Sequence, residues 1–170
     1  MGKPGVPVPA LLFVGVLYRE EEYFSRAKKK LYQSFGESLF ESPSTSWDYS
    51  QYYRSEFGSP LFRSFVFFRD TISPEALCDI KLVTNDIEAD LASAGKRRVN
   101  LDPGYLTPYN VVLASTKNYA HRICIGKGIY AEVTLLYSDG KYRPHIFTYR
   151  DYASDECAAL FARARTFLKQ

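Results

Sequence analysis

The stretch from Asn100 to Tyr152 constrains the fold more than any other part of the chain, because short turn sequences divide it into strand-length pieces. Its turns, Asp102-Pro103-Gly104, Gly126-Lys127-Gly128 and Asp139-Gly140, contain the residues that tight turns favour. The segments between them are rich in β-branched and aromatic residues and mostly alternate in polarity. We therefore predict an antiparallel β-meander with strands over residues 111–116, 121–125, 129–137 and 142–147.

The first hundred residues alternate strand and helix patterns. Residues 10–18 form a continuous apolar run, typical of a strand covered on both faces. An apolar stripe predicts a helix over residues 20–35, and Ser73-Pro74-Glu75 opens a second helix that extends to Gly95. Further strands are predicted over residues 38–41, 61–68 and 97–101, with a long loop over residues 42–58 and a final helix over residues 154–168.

This order of elements predicts the fold class α+β. Two β-α-β units in ferredoxin-like order are followed by the antiparallel β-meander and a C-terminal helix. At 170 residues the chain is expected to form one domain, residues 1–170. We expect one extended mixed sheet with helices on one side.

The turns also predict how the meander strands pair. A three-residue loop at Gly126-Lys127-Gly128 places Ile123 opposite Ala131 and Arg122 opposite Glu132. A two-residue turn at Asp139-Gly140 places Tyr137 opposite Tyr142 and His145 opposite Thr134. One face then carries Arg122, Glu132, Thr134, Arg143 and His145, and the other carries Ile123, Ile125, Val133, Leu135 and Ile146.

The polar face is the main candidate site. Glu132 as base, His145 as acid and Arg122 as an anion-holding group form a set suited to anion binding or acid-base chemistry, with Arg143 beside them. The alternative is that these residues form the solvated face of an antiparallel sheet, where Arg-Glu pairs are ordinary.

Other candidates lie in or near the turns. Asp102 is a candidate base or metal ligand, or else caps its own turn. Lys117 and Lys127 are candidate phosphate-binding groups, or else exposed lysines that contact only water. His121 falls on the predicted apolar face and is expected to be a hydrogen-bonded edge histidine.

Several chemistries are excluded by missing motifs. The chain has no P-loop, no G-x-G-x-x-G after a strand, no G-x-S-x-G and no H-E-x-x-H. With two histidines and three widely spaced cysteines, no metal site is predicted. The cysteines are expected to be reduced and at least partly buried, in a cytoplasmic protein. No segment predicts a membrane span, and a net charge of +3 makes nucleic acid an unfavoured but open partner.

Two functions remain open from the residues alone. One is a protein that binds a phosphorylated or nucleotide-like anion through Lys117, Arg122, Lys127 and His145. The other is a small hydrolase or transferase that uses Glu132 or Asp102 with His145 and Arg122, and an RNA or protein interaction module is a further alternative. No cofactor and no oligomeric state is predicted.

A resemblance to a known family covers nearly the whole chain. It is carried by Leu101-Asp-Pro-Gly-Tyr-Leu106, Leu113-Ala-Ser-Thr-Lys117, His121-Arg122-Ile123, Gly128-Ile-Tyr-Ala-Glu-Val-Thr-Leu135 and Thr148-Tyr149-Arg150-Asp151-Tyr152. Together these strings resemble the prokaryotic Domain of Unknown Function family 4416. Arg150 departs from the proline expected at its position. The resemblance implies a stand-alone prokaryotic cytoplasmic protein, and it carries no activity, substrate or catalytic residue over to these positions.

Overall fold

The computed structural model describes residues 2–169, which form an α+β fold around one antiparallel sheet. Within these residues the strands are β1 (Ala10–Tyr18), β2 (Ser38–Glu41), β3 (Thr45–Trp47), β4 (Leu61–Ile72), β5 (Val99–Leu106), β6 (Asn110–Ser115), β7 (Ile123–Gly126), β8 (Ile129–Ser138) and β9 (Lys141–Pro144). The α-helices of the same range are α1 (Glu21–Phe35), α2 (Gln51–Phe57), α3 (Leu77–Asp90) and α4 (Asp155–Arg165). None of these helices is both long and apolar enough to cross a membrane.

The sheet has the order β2-β4-β1-β5-β6-β8-β7, with β3 beside β4 and β9 beside β8. Strand β1 is buried along its whole length, as its apolar run predicts. Val14 packs on the side of α1 and α3, whereas Phe13 packs on the side of α4. The expected mixed sheet with helices on one side is therefore wrong. All the pairs of described strands are antiparallel, and both apolar faces of β1 are covered by helices.

The predicted loop over residues 42–58 is partly wrong, because it contains β3 and α2. The Ser50 hydroxyl accepts a hydrogen bond from the Tyr52 backbone N–H and caps α2. Trp47 and Phe57 pack with residues of β1 and β4. This segment therefore lies on the sheet, on the same side as α4.

Asp102-Pro103-Gly104 is not a turn but the middle of β5. Asp102 pairs with Gly15 of β1, and Gly104 pairs with Phe13. The missing N–H of Pro103 is tolerated because β5 pairs with β6 only from Gly104 onwards, so the side of Pro103 that faces away from β1 has no strand partner. At Gly104 a side chain would collide with the Val112 carbonyl, which explains the glycine.

The C-terminal strands do not follow a simple meander, because β8 pairs with β6, β7 and β9 and leaves β7 at the edge. The predicted pairs Ile123–Ala131 and Tyr137–Tyr142 are confirmed. The predicted apolar face is wrong, since Leu135 is buried while Ile123 is 73% exposed. A β-bulge causes the difference: Val112 pairs with Val133 but Val111 pairs with Leu135, and the extra residue puts Leu135 on the same face as Glu132.

Candidate functional site

A cleft of about 880 Å³ opens where β5 and β6 separate. The two strands pair only through Gly104–Leu106 and Val111–Leu113. Beyond that short ladder, residues Asn100 and Asp102 of β5 and residues 114–117 at the end of β6 all line the cleft. The segment around β3 and α2 forms one wall, and residues 147–152 form another.

Helix α3 supplies the hydrogen bonds that a neighbouring strand would give to β5. Lys81 Nζ donates to the Leu101 carbonyl at 2.8 Å, and the Leu101 N–H donates to Glu88 Oε1 at 2.6 Å. Glu88 also accepts from Arg97, which is paired with Glu56. These buried side chains satisfy the free edge of β5 and leave the gap between the strands open.

Arg63 of β4 is a buried cation held between two carboxylates. Its Nη1 donates to Asp102 at 2.9 Å, and its Nη2 lies 3.1 Å from Asp151, which also accepts from Trp47 Nε1 at 2.9 Å. A Cβ at Gly15 would lie only 3.0 Å from Arg63 Nη1. The glycine in β1 thus makes room for the arginine.

The ion pair also fixes the charge of Asp102. Burial alone raises the pKa of this carboxyl, but the charges of Arg63 and Lys81 outweigh burial and hold the pKa below its usual range. Asp102 is therefore ionised at neutral pH, and a carboxylate can only accept hydrogen bonds.

Glu132 is a second buried carboxylate on the cleft wall, 3% exposed. Its Oε2 accepts from His121 Nε2 at 2.8 Å and from Arg122 Nε at 2.5 Å. Arg122 also donates to the Lys117 carbonyl and to the Tyr149 hydroxyl. Since both bonds to Glu132 end on Oε2, its Oε1 accepts no hydrogen bond from the side chains or backbone of residues 2–169.

Aromatic rings and two exposed cations complete the lining. Lys117 Nζ lies 4.6 Å from the centroid of the Tyr52 ring, and Tyr49 and Arg150 also line the cleft. Among residues 2–169, Lys117 and Arg150 have no carboxylate within ion-pair distance. The other cations of the cleft are bonded to protein groups, so these two are the ones available to an anionic ligand.

The structure brings some of the sequence-predicted residues together. Asp102, Glu132 and Lys117 line the cleft, and Arg122 lies directly behind Glu132. His121, which was predicted to be only an edge histidine, is the histidine bonded to Glu132.

The remaining candidates lie outside the cleft lining. Lys127 pairs with Asp79 on the surface, and Arg143 pairs with Asp139. His145 Nε2 lies 2.5 Å from the Val133 carbonyl. Strand β9 ends at Pro144, so the ladder that was predicted to place His145 opposite Thr134 stops before reaching it.

Sequence reasoning missed most of the cleft. Its unpredicted charged residues are Glu56, Arg63, Lys81, Glu88, Arg97, Arg150 and Asp151. The signal for Arg63 was a charged residue inside the apolar strand Leu61–Ile72, since a buried charge needs partners. In the described part of the chain, no three His, Cys, Asp or Glu side chains are grouped to hold a metal ion.

Comparisons with known proteins address the family and leave the activity open. No curated protein and no solved structure matches the chain. One family model, described as Domain of unknown function (DUF4416), matches residues 8–167. Because this match spans nearly the whole sequence, the chain belongs to the family described as Domain of unknown function (DUF4416).

Proposed function

We propose that this protein binds a small phosphorylated or nucleotide-like anion in the cleft between β5 and β6. The observation that carries the proposal is Lys117, an exposed cation without a carboxylate partner in residues 2–169, placed 4.6 Å from the Tyr52 ring centroid. A phosphate pairs favourably with such a lysine, and a flat base or sugar packs on the neighbouring ring. Arg150 supplies a second unpaired cation on the same cleft.

The size and charge of the cleft favour a small ligand over a long polyanion. A volume of about 880 Å³ lies within the range of about 300–1,000 Å³ that is typical of small-molecule sites. The net charge of +3 is small for a nucleic-acid-binding protein, which neutralises many phosphates with lysines and arginines. An RNA or protein interaction module is for these reasons the less favoured function.

The experiment compares two exposed lysines, one in the cleft and one outside it. Wild type, Lys117→Ala and Lys127→Ala are screened by thermal unfolding against nucleoside monophosphates and sugar phosphates. At a ligand concentration of about 100 times Kd we expect a stabilisation of about 2.7 kcal/mol, or roughly 5–10 °C for a chain of this size.

Lys127→Ala is the matched control, because Lys127 pairs with Asp79 on the surface and does not line the cleft. We expect the ligand-induced shift to survive in Lys127→Ala and to fall sharply in Lys117→Ala. No shift with any phosphorylated ligand, or equal shifts in the two variants, would contradict the proposal.

A second candidate function is a small hydrolase or transferase that acts on the same ligand. Two ionisable carboxyl groups, Asp102 and Glu132, line one cleft, and His121 replaces His145 as the histidine beside Glu132. Incubating wild type and Glu132→Gln with the best-bound ligand, with ³¹P NMR to detect products, tests this activity. Turnover that is absent from wild type, or equal in both proteins, would reject it.

The finer description of the fold and the location are also part of the proposal. We propose that β1, α1, β2, β4, α3 and β5 form a ferredoxin-like unit, which is supported by the antiparallel order β2-β4-β1-β5. A cytoplasmic location is supported by the free thiols of the three cysteines.

A further inference from the structure

Two of the carboxylates that line the cleft, Glu132 and Asp102, are positioned as hydrogen-bond acceptors. Glu132 is held on one oxygen by His121 and Arg122, and its Oε1 has no donor among residues 2–169. Because the side chain is buried and lines the cleft, Oε1 is an acceptor of fixed position without a protein partner. An acceptor of this kind in a buried site is favourable only when a donor from water or a ligand reaches it.

Asp102 is a second acceptor, on β5, whereas Glu132 is on β8. Arg63 occupies its Oδ2, and the side chain is still 26% exposed towards the cleft. The lowered pKa keeps the group ionised, so it also accepts without donating. Both carboxylates stand on strands of one sheet, which fixes their positions better than a loop would.

The interior of the cleft is unsuited to a phosphate group. The lining within residues 2–169 contains five carboxylates, Glu56, Glu88, Asp102, Glu132 and Asp151. Apart from the exposed Lys117 and Arg150 it contains three cations, Arg63, Lys81 and Arg97. Arg122 is bonded behind Glu132, so it does not screen the free oxygen of that carboxylate. The free oxygens of Glu132 and Asp102 would repel phosphate oxygens, whereas hydroxyl groups would donate to them.

We propose that the ligand is a phosphorylated sugar, either a sugar phosphate or a ribonucleotide, whose hydroxyl groups donate to Glu132 and Asp102 while its phosphate pairs with Lys117 and Arg150. This inference rests on the proposed function, because it assumes that a phosphorylated ligand occupies the cleft. It adds the orientation of the ligand, with its phosphate at Lys117 and Arg150 and its sugar at Glu132 and Asp102, and it adds the recognition of hydroxyl groups. Inorganic phosphate alone lacks the groups that the interior recognises.

The first test changes only the ligand. Isothermal titration of wild type compares ribose 5-phosphate with pentyl phosphate, which has the same number of carbons and no hydroxyl groups. A second pair is adenosine 5′-monophosphate and its 2′,3′-dideoxy form. The pair to be compared is the one whose hydroxylated member binds more tightly, the sugar phosphate or the nucleotide. In that pair we expect the hydroxylated ligand to bind at least tenfold more tightly than its counterpart, because one hydrogen bond to a charged acceptor commonly changes affinity by that factor.

The second test changes the acceptor. Glu132→Gln should weaken the hydroxylated ligand about tenfold or more and leave its counterpart without hydroxyl groups unchanged, since only the former reaches Oε1. Lys117→Ala should weaken both ligands, because both carry the phosphate. If Glu132→Gln does not fold, the comparison of ligands on wild type still decides the matter.

The outcomes separate the two proposals. Absence of binding by every phosphorylated ligand overturns the proposed function and this inference with it. Binding that depends on Lys117 but is equal for the hydroxylated and non-hydroxylated ligands overturns the inference alone. Binding of inorganic phosphate as tight as that of the sugar phosphate also overturns the inference alone.

Discussion

Replacing Arg122 with alanine should destabilise the protein far more than an ordinary surface substitution. The Arg122 side chain is 7% exposed, and the side chain of Glu132, 2.5 Å away, is 2% exposed. Removing the guanidinium leaves the buried carboxylate with only His121 as a donor. Breaking a buried ion pair by removing one partner costs about 3–5 kcal/mol, because the remaining charge is uncompensated.

Urea unfolding provides the assay, and Arg143→Ala provides the control. Arg143 also pairs with a carboxylate, Asp139, but its side chain is 44% exposed, and such pairs contribute about 0.2–1 kcal/mol. With a typical slope of about 1–3 kcal/mol per molar urea, the midpoint should fall by about 1 M or more in Arg122→Ala. In Arg143→Ala it should hardly move.

The refuting result is a loss of stability in Arg122→Ala no larger than that in Arg143→Ala. It would mean that water solvates Glu132 and that Arg122 does not hold it in place. The double variant Arg122→Ala/Glu132→Gln adds a check, because removing both charges should cost less than the sum of the two single losses. Additive losses would mean that the two side chains act independently.

Further substitutions test other buried groups. The Tyr142 hydroxyl donates to a backbone carbonyl, whereas the buried Tyr152 hydroxyl has no partner in residues 2–169. Tyr142→Phe should therefore lower the free energy of unfolding by about 1 kcal/mol, and Tyr152→Phe should lower it by less. A larger loss in Tyr152→Phe than in Tyr142→Phe would contradict this. In native protein a thiol-alkylating reagent should label Cys124 rapidly, and it should label Cys78 and Cys157 only after unfolding, because these two side chains are buried. Mass spectrometry measures the labelling, and early labelling of all three cysteines would refute the burial of Cys78 and Cys157. Arg63 lowers the pKa of Asp102, so the ionised Asp102 stabilises wild type above about pH 4, and this stabilisation is lost as the pH falls through the lowered pKa. The difference in unfolding free energy between wild type and Asp102→Asn should therefore shrink at low pH. A difference that stays constant with pH would oppose this.

Local signals in the sequence predicted the local parts of the fold. The apolar stripes placed α1 and α4 to within a few residues, since helical periodicity depends only on neighbouring turns. Helix α3 was also predicted, but it ends at Asp90 instead of Gly95. The turn at Asp139-Gly140 correctly predicted that Tyr137 pairs with Tyr142. The three-residue loop predicted at Gly126-Lys127-Gly128 is wrong, because Gly126 pairs with Ile129. A β-bulge between Cys124 and Gly126 absorbs the difference, so Ile123 still pairs with Ala131 and Arg122 still lies beside Glu132.

Features that depend on distant residues were not predictable from these patterns. The pairing of β6 with β8, and the bulge that moves Leu135 to the face of Glu132, depend on contacts between strands that are not joined by a tight turn. All three cysteines were expected to be partly buried, but Cys124 is exposed because β7 lies at the sheet edge instead of between two strands. Arg63 meets Asp102 and Asp151 across 39 and 88 positions of sequence, a distance that no local motif spans.

The Asp-Pro-Gly sequence of β5 is a local signal that also determines how distant strands pair. It resembles a turn because proline and glycine are frequent in turns, yet here it marks the position where one side of a strand loses its partner. Pro103 cannot donate to a neighbouring strand, and Leu101, two residues earlier, bonds to Lys81 and Glu88 instead. Strand β6 therefore does not pair with the residues of β5 that precede Gly104. The gap between the two strands at those residues is the cleft. The same residues that ended the β5–β6 pairing thus leave Asp102 facing a space large enough for a ligand.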